Sequence, residues 1–134
     1  MIQQEYVQYH HTERFFSSCN EVMAGEFLVG TNKRVKNLLG RRLWVICGEG
    51  RPRQYWLCKS YTVDEIRQVD DPDFRLHLWG SDGMRFQPPF LLNPLPWFSL
   101  FCRSQSNFSF GLNRIAPVFV SELHDLVNLK HGSN

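Results

Sequence analysis

The chain has 134 residues, 43% hydrophobic, 14% aromatic and 21% charged, with 15 Lys+Arg against 13 Asp+Glu and a net charge of +2. That length supports one domain spanning 1–134, the aromatic content argues against disorder, and no apolar run approaches the roughly 20 residues of a membrane helix. The opening MIQQEYVQYHHTERFF lacks a basic-then-apolar leader, so a cytoplasmic location is expected.

In chain order, Tyr6–His10 alternates as a first strand, and a polar loop is expected to run through Asn20. Glu26–Gly30 (EFLVG) reads as a short strand. Thr31 or Asn32 offers an N-cap to a two-turn helix over Lys33–Leu39, with Val35, Leu38 and Leu39 inward and Gly40 as its C-cap. Arg42–Cys47 and Gln54–Val69 are rich in branched and aromatic residues and read as strands separated by a Gly-Glu-Gly-Arg-Pro turn. Phe74–Trp79 has strand alternation, Ser81-Asp82-Gly83 predicts a hairpin turn, and Pro88-Pro89 is expected to interrupt the strand that Met84–Phe86 begins. Asn93–Pro96 introduces a short helix carrying Trp97, Phe98, Leu100 and Phe101, and Phe108–Ile115 returns as strand. Pro117 suits the first turn of a closing helix that buries Phe119, Leu123, Leu126 and Val127. The expected fold is α+β: a small, mostly antiparallel β-barrel of about six strands, flanked by two or three short helices.

Charge is unevenly placed. Residues 1–30 sum to −3 and residues 54–134 to −1. Between them Lys33, Arg34, Lys36, Arg41, Arg42, Arg51 and Arg53 face a single acid, Glu49, for a local +6. A block of that density is a footprint for a phosphate backbone. Enzyme chemistry finds no support: there is no nucleophile elbow, Gly48-Glu49-Gly50 precedes Arg-Pro rather than a phosphate-loop helix, and Asp70-Asp71-Asp73 surround Pro72 in a turn-like setting. His10-His11 and Cys19 form the densest ligand group, but paired ligands at zinc-site spacing are missing. No metal or other cofactor is expected, and Cys19, Cys47, Cys58 and Cys102 read as reduced, buried, small apolar residues. Aromatic residues with polar neighbours remain: Tyr9 with His10, Trp79, Trp97-Phe98, and Asn107-Phe108-Ser109-Phe110 can stack a base and bond its edge.

Several segments resemble the PUA-like superfamily and, within it, the EVE and YTH branch. They are TNKRVKNLLGRRLWVICGEGRPRQYWLC, FQPPFLLNPL, LPWF with SQSNFSFGLNRI, and the tail APVFVSELHDLV. More narrowly they look like EVE-like modules found beside HNH nuclease domains, although the Tyr-Trp-Leu opening of EVE domains is absent here. The resemblance implies a binding module rather than an enzyme. Such a module recognises a modified base in DNA, methylcytosine foremost, by flipping it into an aromatic pocket, and serves as the specificity part of a restriction-like system. On that reading Tyr9, His10, Asn32, Trp97, Asn107, Phe108 and Ser109 line the base pocket. Lys33, Arg34, Lys36, Arg41, Arg42, Arg51 and Arg53 meet phosphates. The partner is nucleic acid, DNA favoured over RNA, with any nuclease on another domain or chain and no membrane. An RNA-binding PUA-like module and a protein-interaction domain are the alternatives.

Overall fold

Alternating branched and aromatic residues build six strands in a computed structural model that describes residues 4–12, 18–108 and 111–131. They are β1 (Tyr6–His11), β2 (Leu28–Thr31), β3 (Arg42–Glu49), β4 (Gln54–Gln68), β5 (Leu76–Leu91) and β6 (Leu112–Arg114). Among the described residues three α-helices accompany them: α1 (Cys19–Ala24), α2 (Phe98–Ser104) and α3 (Pro117–His131). The fold is α+β, with one six-stranded sheet in the order β2-β5-β4-β3-β1-β6. Every strand pair is antiparallel except β1 with β3, which run parallel with Tyr6 opposite Leu43 and His10 opposite Cys47. No helix among the described residues is long and apolar enough to cross a membrane.

The period of two sorts the side chains into two cores. On one face Tyr6, Leu43, Val45, Tyr61, Val63, Leu78 and Leu112 pack together with Leu38. On the other, Val7, Trp44, Ile46, Leu57 and Phe86 pack beneath α2 and α3, which contribute Phe98, Phe101, Leu123 and Leu126. Each such side chain contributes about 1.5–3 kcal/mol by leaving water. The two edges of the sheet also meet on the first face: Lys33, just after β2, donates from Nζ to the Leu112 carbonyl of β6 at 3.1 Å. Hydrogen-bonded pairing between β2 and β1 or β6 is absent among the described residues, so the sheet curls without closing through its backbone.

Five expectations are corrected. The helix over Lys33–Leu39 does not form. Its caps are engaged elsewhere: the Thr31 hydroxyl accepts from Lys33 N at 3.1 Å, and the Asn32 amide binds Asp73 O and Arg75 N. Asn37 adopts φ 61°, and of the three apolar residues only Leu38 is fully inserted, while Leu39 is 58% exposed. The polar loop through Asn20 ends early, because Ser18 and Glu21 form a reciprocal capping box that starts α1.

Ser81-Asp82-Gly83 is not a hairpin turn. It is a bulge inside β5, where Thr62 faces Ser81 and Ser60 faces Met84. Gly83 is required there because the Phe27 ring sits 2.5 Å from where its Cβ would lie. Pro88-Pro89 likewise does not interrupt β5. The stretch 86–89 bulges opposite Cys58, where missing amide hydrogens cost no ladder bonds. Finally, the strand expected over Phe108–Ile115 shrinks to Leu112–Arg114, with Phe108 closing a 3-10 turn, while Ser109 and Phe110 lie outside the described residues.

Candidate functional site

The curl of the sheet makes a cavity of about 400 Å³, within the range of small-ligand sites. β1 and β2, separated by three strands in the sheet order, both line it. Gln8 and His10 come from β1, Val45 and Lys59 from β3 and β4, Val29 and Gly30 from β2, Phe74 from the rim just before β5 and His77 from β5 itself. Alternation explains the β1 contribution, since Gln8 and His10 follow Tyr6 on the inner side.

Two buried polar groups distinguish this cavity. Gln8 is 8% exposed; its Nε2 donates to the Tyr9 carbonyl at 3.3 Å, and its Oε1 has no hydrogen-bond partner among the described residues. Lys59 is 3% exposed and donates from Nζ to the Glu26 carbonyl at 2.5 Å. Burial, followed by the Arg85 charge, lowers its pKa to about 8. At the rim, the Asp73 amide and His77 Nε2, each 2.8 Å from an Asp71 carboxylate oxygen, hold that carboxyl below its ordinary pKa. Asn32 fastens the same rim through Asp73 and Arg75, and the Phe74 ring lies flush over Gly30, where no Cβ would fit.

The residues expected to form one base pocket are divided. Tyr9 and His10 line the cavity, but the Tyr9 ring lies on the opposite face, stacked on Phe108 with centroids 5.0 Å apart and hydrogen-bonded by Arg53 at 2.9 Å. That separation is direct ring contact, with no room for a base between them. Phe108 and Trp97 belong to the core under α2 and α3. Asn32 supports the cavity rim without lining it, Asn107 is exposed in a left-handed turn, and Ser109 lies outside the described residues. The aromatic cluster legible in the sequence is therefore core. Gln8, Lys59, Phe74 and His77 were missed, and only the place of Gln8 in the β1 alternation signalled any of them.

The basic block is divided as well. Lys33, Arg34, Lys36 and Arg41 occupy the loop between β2 and β3, with Arg34 and Lys36 exposed and Arg41 beside Leu38, Leu39 and Ile66 in a separate depression. Arg51 and Arg53 stand at the other end of β3, about 23 Å away at 3.3 Å per residue. Arg42 is occupied internally, donating to Ser60 Oγ at 3.0 Å and the Asp82 carbonyl at 3.3 Å. The seven cations expected to meet phosphates therefore lie toward both ends of β3, and Lys33 and Arg41 also donate internally, to the Leu112 and Asn37 carbonyls at 3.1 and 3.3 Å.

The cysteines are free, but three of them are not separate. Cys19 of α1, Cys47 of β3 and Cys58 of β4 bring their sulfurs within 4.8 Å of one another, with Cys47 and Cys58 at 3.1 Å. Nothing in their sequence spacing signals this convergence. No protein-family model matches the chain, and no curated protein matches it.

Proposed function

We propose that this protein is a nucleic-acid-binding module that admits one extruded base to the cavity between β1 and β2, a methylated cytosine in DNA being the leading ligand. The observation that carries this reading is the buried Gln8 amide, whose Oε1 meets no partner among the described residues and which lines a cavity of about 400 Å³. Burying an unsatisfied amide oxygen costs roughly 1–3 kcal/mol, which a base edge arriving in the cavity offsets. Phe74, His10 and His77 supply rings for stacking, a contact of about 1–3 kcal/mol per base. Lys33, Arg34, Lys36 and Arg41 supply phosphate contacts from the loop between β2 and β3.

The curled sheet with neighbouring β1 and β2 supports a PUA-like barrel left open at the ligand site, in keeping with the EVE-like segments. On this reading the chain is the specificity part of a restriction-like system, and strand cleavage belongs to another domain or chain. The test is fluorescence anisotropy with duplexes of one sequence, unmodified and 5-methylcytosine-containing, and the matching RNA, at several salt concentrations. Tighter binding of the methylated duplex, lost in Gln8→Leu, supports the reading. Equal affinities defeat base sensing, preference for the ribo-oligonucleotide replaces DNA with RNA, and no binding at low salt defeats the proposal altogether.

A further inference from the structure

The cluster of Cys19, Cys47 and Cys58 belongs to no part of the nucleic-acid reading. Its sulfurs arrive from three elements and are almost wholly buried, at 4%, 0% and 0% exposure. A zinc ion holds thiolate sulfur at about 2.3 Å, so sulfurs sharing one ion stand at most about 4.6 Å apart and near 3.8 Å in a regular tetrahedron. The observed spacing, from 3.1 Å to no more than 4.8 Å, straddles that value. Two further features point to an ion rather than to three inert thiols.

The first is Glu49. It follows Cys47 by two residues, which places both on one side of β3. Its carboxylate stands close enough to Cys19 to interact with it electrostatically. The second is Lys59, the residue after Cys58, whose buried ammonium interacts electrostatically with Cys47 and Cys58. A buried ammonium favours the thiolate form of the sulfurs beside it.

We propose that Cys19, Cys47 and Cys58 bind one Zn²⁺ ion as thiolates, with the neighbouring Glu49 carboxylate, outside the 4.8 Å sulfur cluster as it stands, turning in as the fourth ligand. Each thiol that ligates forms an S–Zn bond and releases its proton to solvent, so affinity increases with pH. Three thiolates and a carboxylate leave the centre at −2, which Lys59 partly offsets. The ion clips α1 onto the β3–β4 hairpin and fixes Val22 of α1 in the cavity wall.

The test uses the full chain, reduced and stripped of metal, titrated with Co²⁺ as a spectroscopic stand-in and then with Zn²⁺. One equivalent of Co²⁺ should produce the thiolate-to-cobalt charge-transfer band and the intense visible absorption of tetrahedral cobalt, and Zn²⁺ should abolish both. Cys102→Ser should leave the spectrum unchanged, and Cys58→Ser should weaken the thiolate band. Glu49→Gln should keep the band while loosening binding by roughly 10–100-fold, as for a lost supporting ligand. Because folding is not disturbed in the unmutated chain, its spectrum decides. An octahedral aqua-cobalt spectrum, or a Cys47–Cys58 disulfide persisting in the reductant, overturns the proposal. Unchanged affinity in Glu49→Gln removes the carboxylate from the site. Loss of nucleic-acid binding would not affect the outcome.

Discussion

Lys59 is the residue whose environment makes the sharpest quantitative statement. A base whose folded pKa is lowered, here to about 8 against 10.5, sheds its proton in the folded state before the unfolded chain does. Stability contributed by this group therefore rises between about pH 8 and pH 10.5 and is flat outside that window. Denaturation of the wild type and Lys59→Met, in the presence of chelator, should show the wild type gaining on the variant by a few kcal/mol across that range. A pH-independent difference would place the Lys59 ammonium in ordinary solvent. Gly80 offers a second test at this scale. A Cβ there would lie 2.0 Å from the Tyr61 ring and 2.2 Å from the Thr62 carbonyl oxygen, and the latter is backbone that cannot turn aside. Gly80→Ala should cost about 1–3 kcal/mol in a urea titration.

At the scale of elements, the segment between β2 and β3 shows where local signals lose to tertiary ones. Residues 33–39 carry helical apolar spacing, yet Asn32 holds two backbone groups of the cavity rim and cannot also cap a helix. Leu38 is then the one fully buried residue of the segment, beside Leu43 and Leu78, with Val35 packed partly buried against the same core. Leu38→Ala should destabilise by about 2–5 kcal/mol; a helix with three inward residues would spread that cost, and a loss below 1 kcal/mol would contradict the insertion. The converse case is α1, whose Ser18-x-x-Glu21 signature was legible and overlooked. Ser18→Ala should cost about 1 kcal/mol, measured by thermal or urea unfolding. β1, β3, β4 and α3 were legible for a plain reason: period-two alternation and a first-turn proline are local properties that survive burial. β5 was half-legible, because its Gly and Pro mark bulges as readily as turns.

Across the whole molecule, the division of the basic block limits what nucleic acid can touch at once. If the loop cations Lys33, Arg34, Lys36 and Arg41 form the phosphate footprint, the logarithm of affinity should fall against the logarithm of salt with a slope of about −3 to −4. A footprint of all seven cations would give about −6. The triple change Lys33→Glu, Arg34→Glu and Lys36→Glu should abolish binding, whereas Arg51→Glu should leave it nearly intact. Equal losses from both ends of β3 would restore a single large face and displace the cavity as the binding centre.

The sequence by itself determined the α+β class, the identity of most strands, the closing helix and the near-neutral charge with its basic middle, because these depend on neighbours a few residues apart. Tertiary structure alone decided which polar groups converge. Gln8, Lys59 and His77 are distant in the chain and meet because twist and bulges accumulated over β4 and β5 curl the sheet upon itself, whereas Cys47 and Cys58 face each other across the β3–β4 hairpin and only the packing of α1 brings Cys19 to them. The same curl assigned the prominent aromatic residues to the far face. There they satisfy one another in the core under α2 and α3, and the inner face is left to the polar groups.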